Sequence, residues 1–164
     1  MSLESKLGTG TNVTFLIPAS EAPAPTPPKA VKAPAKGQGR ILVMDDDDMI
    51  RELLTEILQD LGYDVATARD GEGAIDTYKK AKETGHPFDV VIMDLTIKDG
   101  MGGREAISIL KKYDRKIKAI VSSGYSTDAV MAEHKKYGFK AVLSKPYRID
   151  DLNRTIKEVI GRKK

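Results

Sequence analysis

Cysteine is absent, so the chain forms neither disulfides nor thiolate metal sites, and it suits a reducing cytoplasm. No apolar run approaches the roughly 20 residues that a helical membrane span requires, so no membrane contact is expected of these residues. A strong excess of positive charge is missing too. The formal net charge is +3, part of it sits in a terminal "GRKK", and no nucleic-acid partner is implied. No targeting signal is visible, and the opening "MSL" looks like an expression scar. What remains is a globular profile: 164 residues, 40% hydrophobic and 31% charged, enough for one ordinary domain with a core.

Proline divides the chain. Six of the eight prolines lie between Pro18 and Pro34, in "PASEAPAPTPPKAVKAPAKGQG". Such a segment interrupts helices and strands and favours extended, solvated backbone, so residues 21–38 read as a linker. Residues 1–20 precede it, and residues 39–164 form the body of the protein.

The body alternates regularly. "RILVM" (40–44) is an unbroken apolar run of the kind buried on both faces of a sheet. Ile50, Leu53, Leu54, Ile57, Leu58 and Leu61 follow at helical spacing, with Gly62 as the stop. "DVATA" (64–68), "DVVIMD" (89–94), "KAIVSS" (118–123) and "AVLS" (141–144) read as further strands. Helices are predicted through Ala74 to Ala81, Ala106 to Leu110, Val130 to Tyr137, and Leu152 to Ile160. Five strands alternating with five helices predict an α/β fold, a doubly wound parallel sheet covered on both faces. Ligands bind such sheets beyond the carboxyl ends of the strands.

Chemistry collects at those ends. Asp45 and Asp46 follow the first strand, inside "RILVMDDDDMIREL". Asp94 ends the third, Ser123 the fourth, and Lys145 follows the fifth in "KPY". Clustered carboxylates repel and raise one another's pKa, so their convergence calls for a cation. An oxygen-only ligand set suits Mg²⁺, which keeps waters and takes one or two carboxylates plus a phosphate. Asp94 is then placed to be a nucleophile toward a phosphoryl group. The metal, the Lys145 ammonium and the Ser123 hydroxyl would share the charge of an in-line transition state. Asp47 and Asp48 read differently, as helix-start residues that favour the helix dipole.

With those positions in place, residues 39–164 resemble the receiver domain of the two-component response-regulator family. The resemblance rests on "ILVMDD", "VVIMDL", "VSSGY" and "LSKPY", in order and at fitting separations. It implies a flavodoxin-like (βα)5 fold with strand order 2-1-3-4-5, and a signalling rather than an enzymatic role. It makes Asp94 the phosphoacceptor and Asp46 and Asp94 direct Mg²⁺ ligands, with Asp45 acting through water and Thr96 lending its backbone carbonyl. Ser123 takes the place of the hydroxyl that contacts the phosphoryl group, and Lys145 that of its cationic partner, ahead of a cis Lys145-Pro146 bond. The implied partner is a histidine kinase or a histidine phosphotransfer protein.

This sequence departs from the family pattern in places. Lys98 stands where the family often has proline, and the doubled Gly102-Gly103 resembles receivers fused to hybrid sensor kinases. Val142 occupies the position of the switching Tyr or Phe. Neither His86 nor His134 lies in a segment resembling a phosphorylated histidine box. "GTGTNVTFLIPAS" (8–20) resembles the last Gly-rich turn and final strand of a histidine-kinase ATP-binding domain, which makes residues 1–20 a scar plus kinase remnant. Two other readings remain open. A haloacid-dehalogenase-type phosphatase would need Thr or Val where Met49 stands, and would need a cap domain. A receiver-shaped module that is never phosphorylated would have no use for the full acidic set.

Overall fold

The computed structural model describes residues 1–17, 37–124 and 129–161. Residues 21–36 of the predicted linker, Tyr125 of "VSSGY" and the last three residues lie outside the described residues.

The amino-terminal unit is an antiparallel hairpin of β1 (Ser2–Lys6) and β2 (Gly10–Thr14). Leu3 faces Val13 across the pair, and the Thr9 amide closes the turn onto the Lys6 carbonyl at 3.0 Å. Every residue of both strands is exposed. Part of β1 is the segment read as a scar, and it supplies the partner strand of β2.

In the second unit, β3 (Arg40–Met44), β4 (Asp64–Ala68), β5 (Val90–Asp94), β6 (Ala119–Ser123) and β7 (Ala141–Ser144) pair in parallel in the order β4-β3-β5-β6-β7. In terms of the five predicted strands this is 2-1-3-4-5, the flavodoxin-like order. The period-2 alternation of strands sends successive side chains to opposite faces. Leu42, Met44, Val91, Met93 and Val121 therefore pack with Tyr78 of α2 (Gly71–Glu83) and with Ile107 and Leu110 of α3 (Gly103–Tyr113). Ile41, Val43, Val90, Ile92 and Ile120 face the other way. They meet Leu54 and Leu58 of α1 (Asp48–Asp60) and Leu152 and Ile156 of α6 (Ile149–Ile160). Burial on both faces is why these strands read as apolar runs without alternation.

The fourth helix departs from expectation. Instead of one element there are two short ones, α4 (Ala129–Ala132) and α5 (His134–Tyr137), separated by Glu133 at φ −114°, ψ 29°. Only Val130 and Met131 are buried here, and α5 has no buried residue. A stretch with so little apolar burial gains little from tertiary packing, which supplies most helix stability. At the linker end, packing begins two residues before the predicted boundary. The Gly37 amide donates to the Leu61 carbonyl at 2.6 Å, and Gly37 lies so close over the Tyr63 ring that a Cβ would sit 2.2 Å from it. Among the described residues no helix is long and apolar enough to cross a membrane.

Asp114, at the end of α3, ties α2 to α3. It accepts from the Tyr78 hydroxyl at 3.0 Å, pairs with the Lys82 ammonium and takes the Lys116 amide at 2.9 Å. The hydrogen bond from Lys82 is the main reason its carboxyl is held below the usual range. A depressed folded-state pKa stabilises above the unfolded value of about 4 and is lost as pH falls through the lower folded value. Asp114→Asn should cost about 1–2 kcal/mol at neutral pH and flatten that acid limb, as seen in urea midpoints between neutral and acid pH. Parallel acid limbs for variant and wild type would contradict the assignment.

Candidate functional site

The carboxyl ends of β3, β5, β6 and β7 bring the acidic residues and a lysine together. Asp45 directly follows β3 and is 2% exposed; Asp94 is the last residue of β5 and is 7% exposed. Lys145, just beyond β7, reaches between them, its ammonium 2.6 Å from Asp45 Oδ2 and 2.8 Å from Asp94 Oδ2. The half-buried Asp46 completes the set, and the carboxylate oxygens of Asp45, Asp46 and Asp94 lie within 4.8 Å of one another. Thus four of the six predicted site residues form one cluster. Thr96, which is exposed, joins through its backbone amide, donating to Asp94 Oδ1 at 3.4 Å. Ser123 lies buried at the end of β6, and its carbonyl accepts from the Lys145 amide at 3.0 Å.

Local sequence explains how each carboxylate is held. Asp47 is the N-cap of α1, accepting from the amides of Met49 and Ile50, and Asp48 in the first turn pairs with Arg51. These two therefore belong to the helix start. Asp45 Oδ1 takes the Asp47 amide at 3.1 Å, and the Arg51 guanidinium donates to the Asp45 carbonyl at 2.6 Å. Asp46 Oδ2 takes the Lys98 amide at 3.2 Å, which closes the β5–α3 loop over the cluster. Gly102 and Gly103 allow that closure. A Cβ on Gly103 would lie 2.6 Å from the Asp94 carbonyl oxygen, and one on Gly102 would lie 2.7 Å from that of Leu95. The doubled glycine thus lets the start of α3 abut the strand end that carries Asp94.

The electrostatics follow from burial. Desolvation pushes the Asp94 carboxyl up; Lys145 and the Thr96 amide pull it down, Asp45 pushes it up, and the net shift is upward. Burial works against the Lys145 charge, but the hydrogen bonds to Asp45 and Asp94 outweigh it and hold the ammonium above its ordinary range. One ammonium balances one of two buried carboxylates, and Asp46 adds a third negative group at the rim. The fit to a hard divalent cation is therefore good in donor chemistry as well as spacing.

Sequence reasoning used only the lysine of "KPY" and passed over Tyr147. Its hydroxyl shares a 2.6 Å hydrogen bond with the Ser122 hydroxyl, and burial pushes the phenol up to about 12. No local pattern links it to Ser122, because the two meet only through the way the loop after β7 lies against β6. The cleft lined by Gly37, Tyr63, Asn153 and Ile160 lies at the amino-terminal edge of the sheet, away from the carboxylates.

The family profile for the response regulator receiver domain matches residues 41–157. The chain belongs to the response regulator receiver family. The chemotaxis protein CheY of Thermotoga maritima is 34% identical over 72% of this chain and 98% of its own length. Sensor kinase CckA of Brucella abortus is 29% identical over 97% of this chain, which spans only 17% of that kinase. Among solved structures, the receiver domain of a sensor histidine kinase from Pseudomonas aeruginosa, with a magnesium ion coordinated in its active-site cleft, superposes with a TM-score of 0.66. It covers 76% of this chain and 99% of its own at 20% identity, which shows the shared fold.

Removing the ammonium that, among the described residues, alone bonds both Asp45 and Asp94 leaves buried carboxylates facing each other. Lys145→Met should cost about 3 kcal/mol of unfolding free energy without divalent cations, the penalty for an uncompensated buried charge. Urea denaturation in a chelator measures it. A variant as stable as wild type would mean that the bridge does not hold the site together.

Proposed function

We propose that this receiver domain accepts a phosphoryl group onto Asp94 from a phosphohistidine, in a Mg²⁺-dependent step, and passes the signal on by changing conformation. The observation that carries this reading is the buried Asp45–Lys145–Asp94 bridge with Asp46 at its rim. Asp46, Asp94 and the Thr96 carbonyl would hold the cation, with Asp45 acting through water. When bound, Mg²⁺ supplies positive charge that neutralises the carboxylates and the phosphoryl oxygens.

The chain's own residues do the rest. A carboxylate oxygen of Asp94 attacks phosphorus in line; the phosphorus–nitrogen bond to the donor imidazole breaks, and its electron pair returns to the ring nitrogen. The Lys145 ammonium, now on Asp94 Oδ2, stays beside the oxygens that carry the developing charge. Ser123, whose carbonyl already anchors Lys145, supplies a hydroxyl to the product and moves toward it as the switch. With Val142 in the usual aromatic position, the conformational response concentrates at the end of β6. A haloacid-dehalogenase-type reaction is not favoured, because Asp47 is occupied as a helix cap and Met49 is exposed.

The similarity to CckA runs through the amino-terminal hairpin as well as the receiver, which supports a place in a hybrid sensor histidine kinase. In that setting the predicted linker, up to where Gly37 packs on the domain, tethers acceptor to donor at an effective concentration of about millimolar. A histidine kinase or a histidine phosphotransfer protein is the partner this reading requires.

Acetyl phosphate and Mg²⁺ should add one phosphoryl group to the wild type and none to Asp94→Asn, read by intact mass. Asp46→Ala should weaken Mg²⁺ binding strongly, whereas Asp48→Ala, which loses only an exposed first-turn charge and its pair with Arg51, should leave it nearly intact and cost about 0.5 kcal/mol of helix stability. Full labelling of Asp94→Asn, or equal metal losses in the two alanine variants, would overturn the reading.

A further inference from the structure

Three bonds converge on the end of β6. The Ser122 carbonyl accepts from the amide of Leu95, the residue after Asp94, at 2.9 Å. The Ser123 carbonyl accepts from the Lys145 amide at 3.0 Å. The Ser122 hydroxyl meets the Tyr147 hydroxyl at 2.6 Å. The first two are ladder contacts that any sequence would make there. The third exists only because of two particular side chains, twenty-five positions apart.

The surroundings argue that this pair has a purpose beyond satisfying two hydroxyls. Ser122 is 1% exposed and pairs in register with Asp94 in the neighbouring strand. Tyr147 rests its ring against the apolar layer beneath α1 and α6. A phenylalanine would pack there equally well, so core packing alone does not call for the phenolic oxygen. Lys145 lies between the two fastenings, its own amide on Ser123 and, two residues on, Tyr147 on Ser122. Its long flexible side chain must span to Asp45 and Asp94 from a loop, and loops hold a group less firmly than strands do.

We propose that the Ser122–Tyr147 hydroxyl pair is a clamp that fixes the Lys145 loop to the end of β6 and so sets where the Lys145 ammonium stands relative to Asp94. Tyr147 and Ser122 are positioning residues that act through Lys145. The inference rests on the proposed phosphoryl transfer for its kinetic consequence, but the placement of Lys145 is a property of the unphosphorylated protein.

The test uses Tyr147→Phe and Ser122→Ala, alone and together, in the full chain. Each should slow phosphorylation of Asp94 by phosphoramidate and Mg²⁺ about tenfold, the effect of letting a transition-state contact drift by a fraction of an ångström. The double variant should be no slower than either single one, because both remove the same bond. In a Lys145→Met background Tyr147→Phe should have no further effect on the rate. Independently of phosphorylation, the side-chain NMR signals of Lys145 should move toward those of a mobile exposed lysine in Tyr147→Phe and in Ser122→Ala.

Wild-type rates in both single variants, additive losses in the double, or a further loss in the Lys145→Met background would overturn the clamp. A wild type that takes no phosphoryl group would refute the proposed function instead. The clamp would then stand or fall on the Lys145 signals alone, and signals unchanged from wild type would refute it.

Discussion

A single ammonium placed between two buried carboxylates governs this molecule. Asp45 and Asp94 are brought out of water by the same sheet that forms the core, and desolvated like charges cannot be left facing each other. Lys145 resolves half of that conflict by bonding to both. The remaining negative charge, reinforced by Asp46, suits the chemistry of a hard divalent cation, which the proposed function places there. A buried charge cluster is weak as a source of stability, which accords with the chemical role proposed for it.

The fold serves that arrangement at each level. Parallel pairing puts the ends of β3, β5, β6 and β7 along one edge, so residues distant in sequence become neighbours without any special loop. Apolar packing on both faces holds the strands rigid, which fixes the carboxylates that terminate them. The loop after β5 is drawn in by the Lys98 amide on Asp46, and the glycines at 102 and 103 give it room against the backbone of Asp94 and Leu95. The acidic run itself divides its labour, with Asp45 and Asp46 in the cluster and Asp47 and Asp48 starting α1.

Much of this was legible in the sequence for an identifiable reason. Strand-end residues such as Asp94 and Lys145 are located by where an apolar run stops, and the parallel-sheet rule then sends all such ends to one edge. Asp47 and Asp48 could be set aside because helix caps have a local signature. Tyr147 could not be found that way. Its partner Ser122 is set by how the loop after β7 lies against β6, a tertiary relation that no local pattern encodes. The division of the fourth helix was hidden for a similar reason, since Val130, Met131 and Tyr137 keep a helical spacing across the break at Glu133. Gly37 looked like linker because its composition is that of a linker, while its contact is with a tyrosine ring far along the chain.

Under the proposed function the Asp45–Lys145–Asp94 bridge is the resting state of a phosphoryl-accepting site. The most direct measurement is a crystal structure grown with Mg²⁺ and beryllofluoride, which mimics a phosphoryl group on a carboxylate. The account predicts beryllofluoride on Asp94, a metal ion among Asp46, Asp94 and the Thr96 carbonyl, and the Lys145 ammonium moved from Asp45 onto a fluorine. An unmodified Asp94, with Lys145 still bridging both carboxylates at saturating ligand, would contradict it.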